Sequence, residues 1–359
     1  MILSDIAEYV TEKVNSDKIT LNQYVTTDSL LQNKRGRQTA QNLPPMPCVL
    51  TSYSQGDILI SNIRPYLKKI WFADSNGGCS TDVLVFRAKK GHSSNFLFAL
   101  LMQDAFFSYM MQGSKGSKMP RGDKNQIMHY KVPTFSSFEE ENIGNIIVNI
   151  ERKIALNRQI NDNLEAQLRL ITSRYIFSCP NLEKKRIGEI ATVKAGGDCP
   201  ITFSKTRTRK CNIPIFSNGT EDRGLYGFTN KAKIEGHSIT VAARGTIGYC
   251  ERRLMPFVPI IRLLAITPKE DGAYIYLHQV IRGMKFNKNG SVQQQLTVPE
   301  ISFIEIPYPH SGILHEYNNV ASPIVEMIER NISENEILTK QRDELLPLLM
   351  NGQASVNSD

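Results

Sequence analysis

The side chains here that could do chemistry are cations set in loops broken by glycine and asparagine. The first half carries NKRGRQ (Lys34, Arg35, Arg37), RPYLKK (Arg64, Lys68, Lys69) and KGSKMPRGDK (Lys115, Lys118, Arg121, Lys124). The second half carries SKTRTRK (Lys205, Arg207, Arg209, Lys210), AARG (Arg244, with Arg252 and Arg253 beyond it) and MKFNKNGSVQQQ (Lys285, Lys288, Gln293, Gln294, Gln295). Lys and Arg neutralise phosphates, and Arg, Gln and Asn can fork onto base edges in the major groove. Glycines beside them let a loop come close to a backbone. A single charge run is usually a solvated face, but the same pattern in both halves makes the set a candidate surface for double-stranded DNA. The net charge of +8 agrees with an acidic partner.

Reactive groups are harder to find. GSKGSK from Gly113 is too short for a phosphate-binding loop, which needs G-x-x-x-x-G-K-[ST] after a strand. NLPPMP from Asn42 approaches the N-P-P-aromatic loop of amino-methyltransferases, but Leu43 interrupts it and the aromatic is missing. RGD at Arg121 to Asp123 is an integrin-type tripeptide with no secretion signal behind it. The six histidines show no H-x-x-x-H spacing, and the six cysteines fall singly with no C-x-x-C pair. We expect no catalytic residue, no metal site and no cofactor of the chain's own. No apolar signal peptide or membrane-length apolar run is present, so the expected location is cytoplasmic, with no membrane partner.

The elements that must carry the loops come in duplicate. LSDIAEYV from Leu3 answers IGEIATVK from Ile187, and GDILISNIRPYLKKIWFAD from Gly56 answers GHSITVAARGTIGYCERRL from Gly236. GSKMPRGDKNQIMHYKVP from Gly116 answers GSVQQQLTVPEISFIEIP from Gly290. ERKIALNRQINDN from Glu151 then answers VEMIERNISENEI from Val325, at an offset of 174. Any one pair is chance; four in the same order mark an internal repeat. In each half, short apolar runs with Gly and Pro breaks predict a mixed α/β (α+β) domain, and a break-free stretch predicts a helix of about 40 residues, about 60 Å long. Ser137 and Glu140 are expected to form the first helix's capping box, and Pro323 to kink the second.

Apolar positions in these helices alternate by four and three, the spacing of a coiled-coil seam. Ile154, Asn157, Asn161 and Leu164 fall on one seam, and Ile328, Asn331, Asn335 and Leu338 on the other. Buried asparagine costs stability but fixes register, so the two helices are expected to pair. The expected division is a first globular domain over 1–136, its long helix over 137–178, a second domain over 179–310, its helix over 311–352 and a tail over 353–359.

These features resemble the specificity subunit of type I restriction-modification systems. GDILISNIRPYLKKIWFA, ARGTIGY, the GS-x-Q run followed by EIPYP, IERKIALNRQINDNLEAQ and the closing QRDELLPLLMNGQ carry the resemblance, which covers nearly the whole chain. It implies two target-recognition domains joined by two long antiparallel helices that act as a spacer, each domain reading one half of a split DNA site. It also implies docking of two methyltransferase subunits, which bind S-adenosylmethionine, and of translocase-nuclease restriction subunits. The first domain begins almost at Met1, so any N-terminal extension is expected to be minimal. Recognition loops vary within the family, so no base-contacting residue carries over. A stand-alone DNA-binding regulator with duplicated domains, or a scaffold that binds protein through its basic loops, are the other classes open to the sequence.

Overall fold

The computed structural model of the chain describes residues 1–116, 118–179, 182–286 and 295–354. It divides into two compact units: Met1–Asn157 with Ser333–Asp359, and Arg158–Ile332. Both long helices contribute to both units, so each unit holds one mixed α/β domain and a stretch of each helix.

In the first unit the central sheet is antiparallel, in the order Ala7–Tyr9, Val83–Ala88, Ile58–Ser61, Ile70–Phe72. Side chains along a strand point alternately to opposite faces. Ile58, Ile60, Leu84 and Phe86 therefore enter one core, with the helices Ser94–Leu101 and Asp104–Gln112. Leu59, Val85 and Trp71 enter a second core on the other face. Burial on both faces is why Ile58, Leu59 and Ile60 are continuously apolar rather than alternating. A smaller sheet of Lys13–Asn15, Val49–Tyr53, Gly77–Cys79 and Tyr24–Val25 lies in the same unit. Gly77 is obligatory there, because a Cβ would stand 2.2 Å from the Gln23 carbonyl oxygen.

The second unit repeats the central sheet strand for strand: Ala191–Ala195, Leu264–Pro268, Ser238–Val241, Cys250–Arg253, again antiparallel. The sequence repeats fall on equivalent elements. LSDI and IGEI are the short helices Leu3–Ile6 and Ile187–Ile190. DKNQIM and VPEIS carry the short helices Lys124–Met128 and Val298–Ser302. The smaller sheets differ in size: the second unit has three strands, Leu225–Thr229, Ile213–Phe216 and Val258–Pro259, the last pair parallel as Tyr24–Val25 and Gly77–Cys79 are in the first unit.

The long helices are Ser137–Thr172, continued by a π-helical turn over Ser173–Phe177, and Ser311–Met350. The capping box of the first is one residue earlier than expected. The Ser136 amide donates to Glu139 at 2.8 Å and the Glu139 amide to the Ser136 hydroxyl at 3.3 Å. Glu140 is instead buried, accepting from the Ser93 amide at 3.1 Å and standing 2.9 Å from His92. The second helix runs unbroken through Pro323; the proline sits on the exposed face and Asn319, whose carbonyl loses its helical donor, is exposed to water. It ends where Gly352 takes a left-handed φ of 66° and the Gln353 amide returns to the Leu348 carbonyl.

Within each unit the helix segments are antiparallel partners. In the first, Glu151 meets Arg342 at 2.5 Å, and the Asn157 amide donates to Asn335 at 3.0 Å and to Glu334 at 2.7 Å. In the second, Asn331 donates to Asn161 at 2.8 Å, Asn161 donates to the Ile328 carbonyl at 3.2 Å, and Thr172 meets Tyr317 at 2.9 Å. Ile154 and Ile328 are buried, and Leu164 and Leu338 half-buried. Removing one amide of a buried pair strands the other. Asn157→Ala is expected to cost about 1–3 kcal/mol, whereas Asn157→Leu combined with Asn335→Leu should be near neutral. Urea unfolding of the three proteins measures both.

Candidate nucleic-acid interface

Local folding sorts the basic residues of the first unit into two sets. The first is held internally. Lys34 is 8% exposed and its Nζ is 2.7 Å from Asp104 and 3.8 Å from Asp343. Lys68 meets the other oxygen of Asp104 at 2.8 Å. Arg37 lies 4.3 Å over the Trp71 ring and donates to the Asn22 carbonyl at 2.7 Å. Lys69 donates to the Thr27 carbonyl at 2.5 Å, and its partial burial holds its pKa below the usual lysine value. Lys34 is therefore a correction to the expected interface: its charge is already compensated inside the fold, and a phosphate would have to displace two carboxylates. Arg35 is half-buried.

The second set faces outward. The Arg64 amide donates to the Pro120 carbonyl at 2.8 Å, and Ile63 and Lys115 both bridge to Arg121. This places Arg64 beside the loop of Lys115, Lys118 and Arg121, with Lys124 at the start of the next helix. All five are exposed. Lys115 is 3.3 Å from Asp123 and Arg121 3.1 Å from Asp82, while Arg64, Lys118 and Lys124 have no ion pair among the described residues.

The second unit builds the same juxtaposition. Arg244, the repeat partner of Arg64, lies on a loop whose Ala243 carbonyl accepts from the Leu296 amide at 3.0 Å, and its guanidinium donates to Gln295 at 3.0 Å. Lys285 is exposed on the approach to that loop; Lys288 and Gln293 lie outside the described residues. Arg207, Arg209 and Lys210 are fully on the surface with no ion pair among the described residues, while Lys205 packs 5.1 Å over Tyr226 and donates to its carbonyl. Arg252 and Arg253, read as basic residues beyond AARG, are instead buried at 4% exposure each.

Those two arginines open a network the sequence did not disclose. Arg252 meets Glu165 of the first long helix at 2.5 Å and donates to His278 Nδ1 at 3.0 Å. Arg282 shares Glu165 at 2.8 Å. Arg223 spans Glu251 at 2.8 Å and Glu329 of the second long helix at 2.9 Å. Burial pulls the Arg223 pKa down, but Glu251 and Glu329 outweigh it and the net shift is upward. Burial pushes the Glu251 carboxyl up, but Arg223, the Tyr249 hydroxyl and Arg253 together outweigh it and hold it below its ordinary value. The only sequence signal was negative: the first repeat has Trp71, Phe72 and Ala73 where the second has Glu251, Arg252 and Arg253.

Among the described residues no group of His, Cys, Asp and Glu has metal-holding geometry, and no helix is long and apolar enough to cross a membrane.

Two duplicated α/β domains, each with a long helix and an arginine-bearing loop beside the residues that lead into a short helix, define the class. Residues 7–166 and 181–346 both match the profile of the type I restriction modification DNA specificity domain, and the chain belongs to that family. A protein of Mycoplasma pneumoniae described as a type I specificity subunit is 31% identical over 186 residues, which are 49% of this chain and 56% of that protein. A second Mycoplasma pneumoniae specificity subunit is matched over 35% of its length, so the chain spans about half or less of these two relatives. The specificity subunit of the type I restriction enzyme MjaIX of Methanocaldococcus jannaschii is 20% identical over 90% of this chain and 83% of that one. The crystal structure of a type I S subunit from M. genitalium shares the fold, with a TM-score of 0.58 at 16% identity over 98% of this chain and 95% of that one.

Burial, then the charges of Arg252 and Arg282, hold the His278 imidazole well below its ordinary value. Arg252 donates to Nδ1, so the proton sits on Nε2 of a neutral ring. Unfolding releases a histidine of ordinary pKa about 6.5, so below that pH the unfolded chain binds a proton that the folded chain refuses. Stability is expected to be full above about pH 6.5 and to fall by about 1.4 kcal/mol per pH unit below it. Comparing urea midpoints of wild type and His278→Gln between pH 5 and 7.5 checks this. The variant should lose the steeper acid limb.

Proposed function

We propose that the chain is the non-catalytic DNA-reading subunit of a type I restriction-modification complex, one half of a split site being read by each domain. The observation that carries this reading is the repeated juxtaposition of Arg64 with the 115–124 loop and of Arg244 with the 295–296 loop. Both copies present cations at the same place on the same fold, while the smaller sheets beside them differ, as two domains reading different sequences require. Phosphates would be met by Lys118, Lys124, Arg207, Arg209 and Lys210, which no carboxylate among the described residues neutralises.

The long helices serve the rest of the assembly. Leu156 and Ile337 in the first unit, and Leu170 and Met327 in the second, are large apolar side chains left exposed. Such surface suits a protein partner, and two methyltransferase subunits, carrying S-adenosylmethionine, are the partners proposed for it. Restriction subunits join that core. The helices would also set the length of unread DNA between the half-sites.

Exchange of residues 1–136 for the matching domain of a relative tests the reading, because each domain has its own core. One half of the selected site should change and the other persist; a hybrid that alters both halves overturns independent reading. Binding should weaken steeply with salt, and Lys118→Ala, Arg207→Ala and Arg209→Ala should each lower the salt slope by about one. Lys34→Met should leave the slope unchanged, since that charge is already paired.

A further inference from the structure

Within the second unit, the hairpin between Ile213–Phe216 and Leu225–Thr229 touches two different surfaces. At one side Asn218 accepts from the Ala243 amide at 2.8 Å and receives the Thr246 hydroxyl on its carbonyl at 3.0 Å, so it supports the loop that carries Arg244. At the tip the chain turns through two successive left-handed residues that are not glycine, Asp222 at φ 47° and Arg223 at φ 56°. Side chains rarely adopt that conformation, and it persists only where the surroundings hold it. Glycine would adopt it without strain, so the reason for arginine lies in its guanidinium. That group puts both terminal nitrogens on Glu329, at 2.9 and 3.1 Å, and its Nε on Glu251 at 2.8 Å. Arg253 donates back to the Arg223 carbonyl, closing the tip from its other face.

The first unit contains an independent version of this device. Asn33 and Lys34 are again successive left-handed residues, at φ 56° and 60°. Their amides donate to the carbonyls of Leu67 and Lys68, on the loop that carries Arg64. The Lys34 ammonium faces Asp343 on the same long helix that supplies Glu329, as well as Asp104. The two loops have unlike sequences, QNKRGR and TEDRGL, yet each joins a DNA-facing loop to a carboxylate of the C-terminal long helix.

We propose that Arg223 is a positioning residue: its fork onto Glu329 clamps the hairpin that supports the Arg244 loop at one angle on the long helix, and so restricts the complex to a single spacer length between half-sites. The proposal rests on the DNA-reading function above. Helix length alone sets a distance, but a distance does not fix rotation. Each added base pair turns the following half-site by about 35°, and a hairpin free to shift on the helix would let the Arg244 loop follow it. A bidentate arginine–carboxylate pair is directional and resists that rotation, where a single lysine contact does not. Arg223 is outside the candidate DNA-contacting set, so its loss should leave the half-site sequence unchanged.

The experiment uses the full chain with its methyltransferase partner and selects bound sequences from a library with randomised half-sites and spacer length. Wild type should return one spacer. Arg223→Gln and Glu329→Gln should each raise the share of sites one base pair longer or shorter about tenfold, with the half-site consensus intact. The double variant should add little to either single one, because both remove the same contact. Arg223→Lys, which keeps the charge and loses the fork, should fall between. Glu329→Gln preserves the Arg223–Glu251 pair and so guards against loss of the hairpin itself. A single retained spacer in both folded Gln variants overturns the clamp, as does a changed half-site consensus. A wild-type complex that selects no bipartite site overturns the DNA reading, and the clamp with it; that failure shows in wild type, before any substitution is made.

Discussion

A buried amide must find a hydrogen-bond partner, and the buried Asn157 finds one in a half-buried asparagine of the facing helix. Asn157 pairs with Asn335, and Asn161 with Asn331. In the repeated sequence Asn157 corresponds to Asn331 and Asn161 to Asn335, so each asparagine bonds the copy of the other rather than its own copy. An antiparallel pair of equivalent helices makes this exchange unavoidable, because rising numbers on one helix meet falling numbers on the other. Sliding either helix by one heptad would leave amides against Ile154 or Ile328 and unsatisfied, at about 1–3 kcal/mol each. Leucine in those places would bind as well in several registers. The rest of the molecule depends on this selection of one register, since the ion pairs between domain and helix can form only where the helix brings its carboxylates to the right height.

Those ion pairs are the reason basic residues in this chain must be sorted before they are read as a binding surface. Lys34, Arg223 and Arg252 are held within the fold by Asp104, Glu329 and Glu165, each carboxylate serving at least one buried or half-buried cation. A half-satisfied buried charge is strongly destabilising. The cations outside this scheme, among them Lys118, Arg207, Arg209 and Lys210, remain hydrated and can exchange water for phosphate at little cost. Position in a glycine-broken loop does not distinguish the two groups, and burial of the cation among partners inside the fold does.

The sequence disclosed what periodicity and repetition encode. The short strands of each mixed α/β domain and the long helices follow from apolar runs, turn residues and a 3.5-residue seam, all of which are local. The pairing of Asn157 and Asn161 with their opposite numbers was legible because a polar side chain on an apolar seam must be satisfied from across that seam. Arg223, Glu329 and the His278 site were not legible. Their partners lie 106, 106 and 26 residues away, and nothing in the local text marks which acid meets which base. The capping box was displaced by one residue because SS at Ser136 and Ser137 and EEE at Glu139 to Glu141 offer two registers, and burial of Glu140 against Ser93 and His92 chose between them.

Duplication then has a physical asymmetry. The long helices must pair with each other, so a change in one is tested at once against the other, and the offset between copies holds at 174 from Ile154 through Leu164. The central sheets are buried on both faces, which restricts them nearly as strongly. The smaller sheets answer to neither demand. They have four strands in one unit and three in the other, although each keeps a parallel pair, Tyr24–Val25 with Gly77–Cys79 and Ile213–Phe216 with Val258–Pro259. Divergence runs from the edge strand of the central sheet, Ile70–Phe72 against Cys250–Arg253, into the layer that carries Arg37 in one copy and Lys205 to Lys210 in the other. A frame that changes little holds a layer that changes more, and the two are joined by shared apolar cores, as of Tyr53 and Cys79 with Leu59 and Val85, and by the ionic contacts at Lys34 and Arg223.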